Sequence, residues 1–356
     1  MNCAKHAPTK LIASPKTLCI MLTYACTASC NNCGTLSTPS DKNILSLDIA
    51  LNAIEQANAL GFANVVFTGG ESTLRWNDLL SAIQKATELQ MPTRLVTNAH
   101  WATSVDRATA LLSELANVGL DEINFSTGDQ HIRFVPLQRV VFATLSAVKN
   151  NMPVHTMIEL TAERSISVND YLQHPLVQEL SDREKRLITA TESPWMPLDS
   201  NQVACYPSNY VRNQDNVLKS TGCDSVLQTY VVQADGRVGS CCGLGMRKVP
   251  ELSVGMAEGN AFLETAIERA EDDFLKLWLR FQGPEKILAW AAQFDPTILW
   301  ENKYAHCCQA CMRIYDDSRV QQVIKEHYTE IVPEVIKLAW LNEYYLPGKL
   351  FQDIDN

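Results

Sequence analysis

Thr17-Leu-Cys-Ile-Met-Leu-Thr23-Tyr-Ala-Cys26-Thr-Ala-Ser-Cys30-Asn-Asn-Cys33 places three cysteines directly after a short apolar run. The run Thr17 to Thr23 has the length and continuous apolarity of a buried strand. The next segment sets the rhythm. Ser46 to Leu60 puts Ile54, Ala57 and Leu60 on one helical face, with Ser46 as N-cap and Gly61 as the stop. That strand–helix unit then repeats.

Strands are expected over Asn64 to Thr68, Thr93 to Thr97, Glu122 to Thr127, Val154 to Leu160 and Arg186 to Thr191. Between them, helical spacing links Leu79, Leu80, Ile83, Ala86 and Leu89, then Ala108, Leu111, Leu112, Leu115 and Val118. Further helices are expected near Leu137 to Asn150 and Asp170 to Leu180. Six βα units predict an α/β fold: a parallel sheet covered by helices, either an open barrel or doubly wound. In both, ligands gather beyond the C-terminal ends of the strands. The three cysteines lie at such an end.

After about Trp195 the rhythm breaks. Residues 205 to 311 hold seven of the twelve cysteines, with many polar turns and a clear helical period only around Ala261 to Gln282. Helical spacing resumes after residue 316, with Val320, Val323, Ile324, Val335, Ile336, Ala339 and Trp340. The reading divides the chain at 1–200, 201–315 and 316–356.

The 356 residues suffice for a large domain and a smaller one. Hydrophobic residues at 46% and charged residues at 20% describe a soluble globular chain, and a net charge of −10 argues against nucleic acid as partner. No apolar stretch is long enough for a bilayer, and Met1 to Lys16 lacks the apolar centre of a signal peptide. The expected compartment is the cytoplasm, where thiols stay reduced and twelve cysteines point to metal rather than disulfides.

Cys26, Cys30 and Cys33 form a CxxxCxxC pattern: three thiolates can wrap three irons of a [4Fe–4S] cube and leave the fourth open. Zinc sites need a fourth ligand, which this loop does not offer. With Gly69-Gly70-Glu71 after the second strand, the stretch from about 15 to 200 resembles the radical S-adenosylmethionine superfamily. The resemblance implies a partial (β/α)6 TIM-like barrel. It also implies a cluster whose open iron binds S-adenosylmethionine, reductive cleavage of that cofactor, and hydrogen abstraction from substrate. Gly69, Gly70 and Glu71 would receive the cofactor's amino group. Asn98, in Thr97-Asn98-Ala99, and Ser126, at the end of strand four, would complete the cofactor contacts. Asn32 stands where many members carry an aromatic residue.

The later cysteines have their own spacing. Twelve residues separate Cys223 from Gly236, four more precede Cys241, and Cys308-Gln-Ala-Cys311 follows. This resembles the front half of the SPASM extension, in the shorter twitch form. The resemblance implies an auxiliary [4Fe–4S] cluster on Cys223, Cys241, Cys308 and Cys311, with Cys307 or Cys205 as substitutes and structural zinc as the alternative. Cys242 and Cys307 are candidate catalytic hydrogen-atom donors, or simply neighbours of ligands. Cys3 and Cys19 read as incidental.

Asp129 and His131 follow strand four, and His155 and Glu159 share one face of strand five, each pair open between a substrate contact and an internal role. Trp101, Trp195, Tyr344 and Tyr345 read as core or interface. The resemblance favours modification of a ribosomally made peptide by crosslinking, epimerisation or oxidation. A small-molecule dehydrogenase and a non-catalytic iron–sulfur or zinc scaffold are the alternatives. An electron donor such as flavodoxin or ferredoxin is implied. The segment before the first strand is too short for the leader-binding module that some peptide-modifying members carry, so none is expected there.

Overall fold

A computed structural model describes residues 12, 14, 16–199 and 202–345. Cys3 lies outside them, as does the side chain of Tyr345. Six parallel strands form the barrel: β1 (Thr17–Met21), β2 (Asn64–Thr68), β3 (Thr93–Thr97), β4 (Glu122–Thr127), β5 (Val154–Leu160) and β6 (Ile188–Pro194). The order β6-β5-β4-β3-β2-β1 never reverses, whereas a doubly wound sheet reverses at its switch point. The sheet is therefore an open, partial barrel. The first strand ends two residues sooner than its apolar run, and the sixth lies further along than Arg186 to Thr191.

Four helices cover the outside: α1 (Leu47–Ala59), α2 (Trp76–Glu88), α3 (Val105–Asn117) and α4 (Leu137–Lys149). Ser46 caps α1 and Ser104 caps α3 through their side-chain oxygens. Register places Phe67, Leu95, Ile123 and Val154 in one row, all buried on the helix side. The alternate residues turn inward, where the register partners Arg94 and Glu122 form an ion pair at 3.0 Å. The helix expected over Asp170 to Leu180 is instead α5 (Val168–Leu172) and α6 (Pro175–Gln178), because Pro175 suits a first turn and not a helix interior. A third short helix, α7 (Asp182–Lys185), precedes β6.

Beyond β6 the sheet continues. β7 (Thr229–Val232) pairs parallel with β1, β8 (Arg237–Gly239) pairs antiparallel with β7, and β9 (Ser253–Met256) pairs antiparallel with β8. Strands from both sides of residue 200 thus share one nine-stranded sheet. The segment around Ala261 to Gln282 is two helices, α8 (Phe262–Glu271) and α9 (Phe274–Phe281), the second capped by Asp273. α10 (Pro284–Phe294), α11 (Cys307–Asp316) and α12 (Ser318–Trp340) complete the described chain. No helix among the described residues is long and apolar enough to cross a membrane.

Candidate metal and cofactor site

The loop after β1 carries Cys26, Cys30 and Cys33, all three half-buried. Asn32 gives the loop a left-handed turn, with φ of 57°, a conformation Asn tolerates better than an aromatic residue does. Its side-chain oxygen accepts the N–H of Leu198 at 3.3 Å, and the indole of Trp195 donates to the carbonyl of Asn31 at 2.9 Å. The end of β6 therefore grips the cysteine loop.

Gly69 and Gly70 bring the exit of β2 against the same loop. The N–H of Gly70 donates to Thr23 O at 3.0 Å and that of Glu71 to Ala25 O at 2.8 Å. A Cβ on Gly70 would stand 2.1 Å from Ala25 O, so only glycine allows this approach. The Glu71 carboxylate is buried. It accepts from the hydroxyls of Thr73 at 2.6 Å and Thr97 at 2.8 Å, and from the N–H of Asn98 at 2.9 Å. Asn98 in turn donates to Thr27 Oγ1 at 3.1 Å, with its amide 3.6 Å from Cys26 Sγ. Gly69, Gly70, Glu71, Asn98 and Cys26 thus form one connected rim. Ser126 sits on the inward face of β4, opposite Met157 of β5.

Burial pushes the thiols of Cys26 and Cys30 up to about 12. A pair of thiols so held releases its protons to a cation that supplies the missing counter-charge. Three cysteines on one loop, beside a backbone cradle that admits no side chain, fit a cluster with one open position.

The second set also converges. Cys223, Cys241, Cys307, Cys308 and Cys311 line one narrow cavity, otherwise walled by apolar groups such as Val226, Leu279 and Met312. Cys241 follows β8, and Cys308 and Cys311 share a face of α11, whose N-cap His306 accepts from Cys308 N–H at 3.1 Å. Burial pushes Cys241 to about 12 and raises Cys311. A hydrogen bond with Cys307 and burial raise Cys223. Four or five thiols in an apolar cavity fit a closed cluster. His306, Cys307 and Cys308 alone also bring ligand atoms within 4.8 Å of one another. Cys205 is exposed, outside this wall.

Cys242 points elsewhere. It lies on the wall of an open cavity of about 480 Å³, shared with Met157, Ser193 and His306. Its thiol is reachable from that space and lowered to about 6 by a hydrogen bond with Cys19, then by Ser225. Cys19, read as incidental, is its buried partner. Asp129 and Glu159 serve the fold. Asp129 accepts from Ser165 N at 2.9 Å and Ser165 Oγ at 2.6 Å, while Glu159 accepts from Gln130 N at 2.6 Å and pairs with the His131 ring. His131 packs edge-on against Trp195, and His155 bonds Thr189 and Thr191 of β6. None of these pairings is visible in sequence spacing, since each joins different strands or loops.

Residues 20–156 match the Radical SAM superfamily. The chain is 20% identical over 274 residues to YydG of Bacillus subtilis (strain 168), a protein named for peptide biosynthesis, across 75% of this chain and 81% of that one. Among solved structures, anSMEcpe with bound AdoMet and the Cp18Cys peptide is similar with a TM-score of 0.54 at 16% identity. That likeness covers 92% of this chain and 99% of the other, and it is a likeness of fold.

Proposed function

Because the chain carries a radical S-adenosylmethionine domain, we propose that it is a peptide maturase whose substrate enters the open cavity between β5, β6 and the second cysteine set. Cys26, Cys30 and Cys33 hold the cofactor-binding [4Fe–4S] cluster, and Cys223, Cys241, Cys308 and Cys311 hold an auxiliary one. When bound, the first cluster and S-adenosylmethionine supply a hydrogen-abstracting radical. Gly69 and Gly70 offer backbone to the cofactor. Glu71 holds Asn98 and Thr97 in place around it, and Ser126 contributes from β4.

The observation that carries the peptide reading is the cavity. It is open to solvent on one side, as a long substrate requires. The naming of YydG for peptide biosynthesis supports the same class. Cys242, on its wall, is held down to about 6, and it is the protonated fraction that donates a hydrogen atom from S–H to a substrate carbon radical. A new C–H bond forms and a thiyl radical remains, which an electron from a flavodoxin- or ferredoxin-class donor and a proton restore. Cys307, which lines both cavities, is a spare ligand for the second cluster. A reducing cytoplasm suits eleven described cysteines that are all unpaired.

The test is incubation of reconstituted enzyme, S-adenosylmethionine and reductant with peptides encoded beside its gene, followed by mass spectrometry in deuterated water. Deuterium at one peptide carbon, or loss of hydrogen, supports the reading. Radical initiation without change in any such peptide contradicts it.

A further inference from the structure

The segment from Cys241 to Arg247 touches both cysteine sets. At its start Gly243 N–H donates to Cys241 Sγ at 3.0 Å, and a Cβ on Gly243 would stand 3.0 Å from the sulfurs of both Cys241 and Cys308. Midway, Gly245 N–H donates to Gly34 O at 2.9 Å. Leu244 fills the space a side chain on Gly34 would need, 2.3 Å from the position of its Cβ.

At the far end Arg247 makes two contacts at once. Its guanidinium lies 3.5 Å from the centre of the Tyr24 ring, and its Nη1 donates to Thr35 O at 2.6 Å and Leu36 O at 3.4 Å. Tyr24 stands just before Cys26 and Thr35 just after Cys33. One side chain from the second unit therefore holds the entry and the exit of the first cysteine loop. Both held points are fixed in turn. Tyr24 is fully buried and donates to Gln233 Oε1 at 2.8 Å. The Thr35 hydroxyl donates to Gly69 O at 3.2 Å and lies 3.4 Å from Cys33 Sγ.

We propose that Arg247 is a positioning residue for the Cys26–Cys33 loop, and that the Cys241–Arg247 segment makes order at the first thiol set depend on metal at the second. This rests on reading both sets as cluster sites. A planar guanidinium can stack and donate together, which an ammonium cannot, so lysine does not replace it. Metal at Cys241 would tie the start of the segment to Cys308 and Cys311 of α11, beyond the bonds of Cys242 N–H to Ser225 Oγ at 2.9 Å and of Ser225 Oγ to Cys241 Sγ at 3.4 Å that already hold it.

The test uses the full chain, reconstituted anaerobically with iron and sulfide. Two quantities are read: the rate of iron loss to a ferrous chelator, and the electron paramagnetic resonance change on adding S-adenosylmethionine, which identifies the first site. Arg247→Met and Arg247→Lys are each expected to speed iron loss from the first site about tenfold and alter its spectrum, while the second site keeps its iron. Cys311→Ser is expected to do the same to the first site, and combining it with Arg247→Met to add little more. A wild-type rate and spectrum in Arg247→Met overturns the proposal. So does equal iron loss from both sites, which marks a general packing defect, or full additivity in the double variant. If neither set takes iron in the wild-type chain, the cluster reading falls too; if both do and Arg247→Met is inert, only this inference falls.

Discussion

The Glu71 carboxylate accepts the backbone N–H of Asn98 at 2.9 Å, joining the exit of β2 to the exit of β3 beneath the cysteine loop. Its remaining bonds go to Thr73 and Thr97, so a buried charge is satisfied by neutral donors from two elements. Glu71→Gln keeps the shape and replaces one acceptor by a donor facing hydroxyls or an N–H. The expected cost is about 1.5–3 kcal/mol of stability, with weaker S-adenosylmethionine binding at the displaced Asn98. Thermal melts and cofactor titration check both. An unchanged affinity with lowered stability would confine Glu71 to the fold.

Gly70→Ala tests the cradle. The new methyl would lie 2.1 Å from Ala25 O, a backbone atom that cannot swing aside, so the loop itself must move. Iron content is expected to fall by about half, the second site remaining filled. Full iron at both sites would show that the approach of the two loops is not needed for assembly.

Cys242→Ala tests the hydrogen donor. Cys242 lines the open cavity and not the apolar one where Cys241 and Cys311 converge, so both clusters and cleavage of S-adenosylmethionine are expected to survive. For an epimerising reaction, product with deuterium from solvent is expected to fall at least about a hundredfold, the scale of losing a proton- or hydrogen-transfer group. Retained deuterium incorporation would assign the donor elsewhere.

Asp317 offers a test remote from metal. It caps α12, and the hydrogen bond from Arg319, helped by Arg313, holds its carboxyl down to about 2, against an ordinary 3.8. A carboxyl depressed on folding adds stability above its unfolded value, lost only as pH falls through the folded one. Asp317→Ala is therefore expected to cost about 1 kcal/mol, equally at pH about 6 and about 8. Chemical denaturation at the two pH values measures it; a cost that differs between them would mean another group titrates with the cap.

Much of the barrel is legible in the chain because its strands are bounded by turns and its helices by Ser and Gly: β2 to β5 lie where Asn64, Thr93, Glu122 and Val154 open them. β7, β8 and β9 are three or four residues long and lack alternation, since Thr229 to Val232 is buried throughout. The pairing of β7 with β1, on which β8 and β9 then build, joins residues some two hundred apart, which no local period encodes. The same holds at the site. Cysteine spacing points to the ligand types, but Arg247 over Tyr24 and Cys19 beside Cys242 exist only once the second unit has folded onto the first.

The most direct test is iron content and cofactor cleavage after anaerobic reconstitution, comparing the wild type with Cys26→Ala/Cys30→Ala/Cys33→Ala. The account predicts about eight irons per wild-type chain and about four in the triple variant. With S-adenosylmethionine and dithionite, 5′-deoxyadenosine should form only in the wild type. Zinc in place of iron, or 5′-deoxyadenosine from the triple variant, would contradict it.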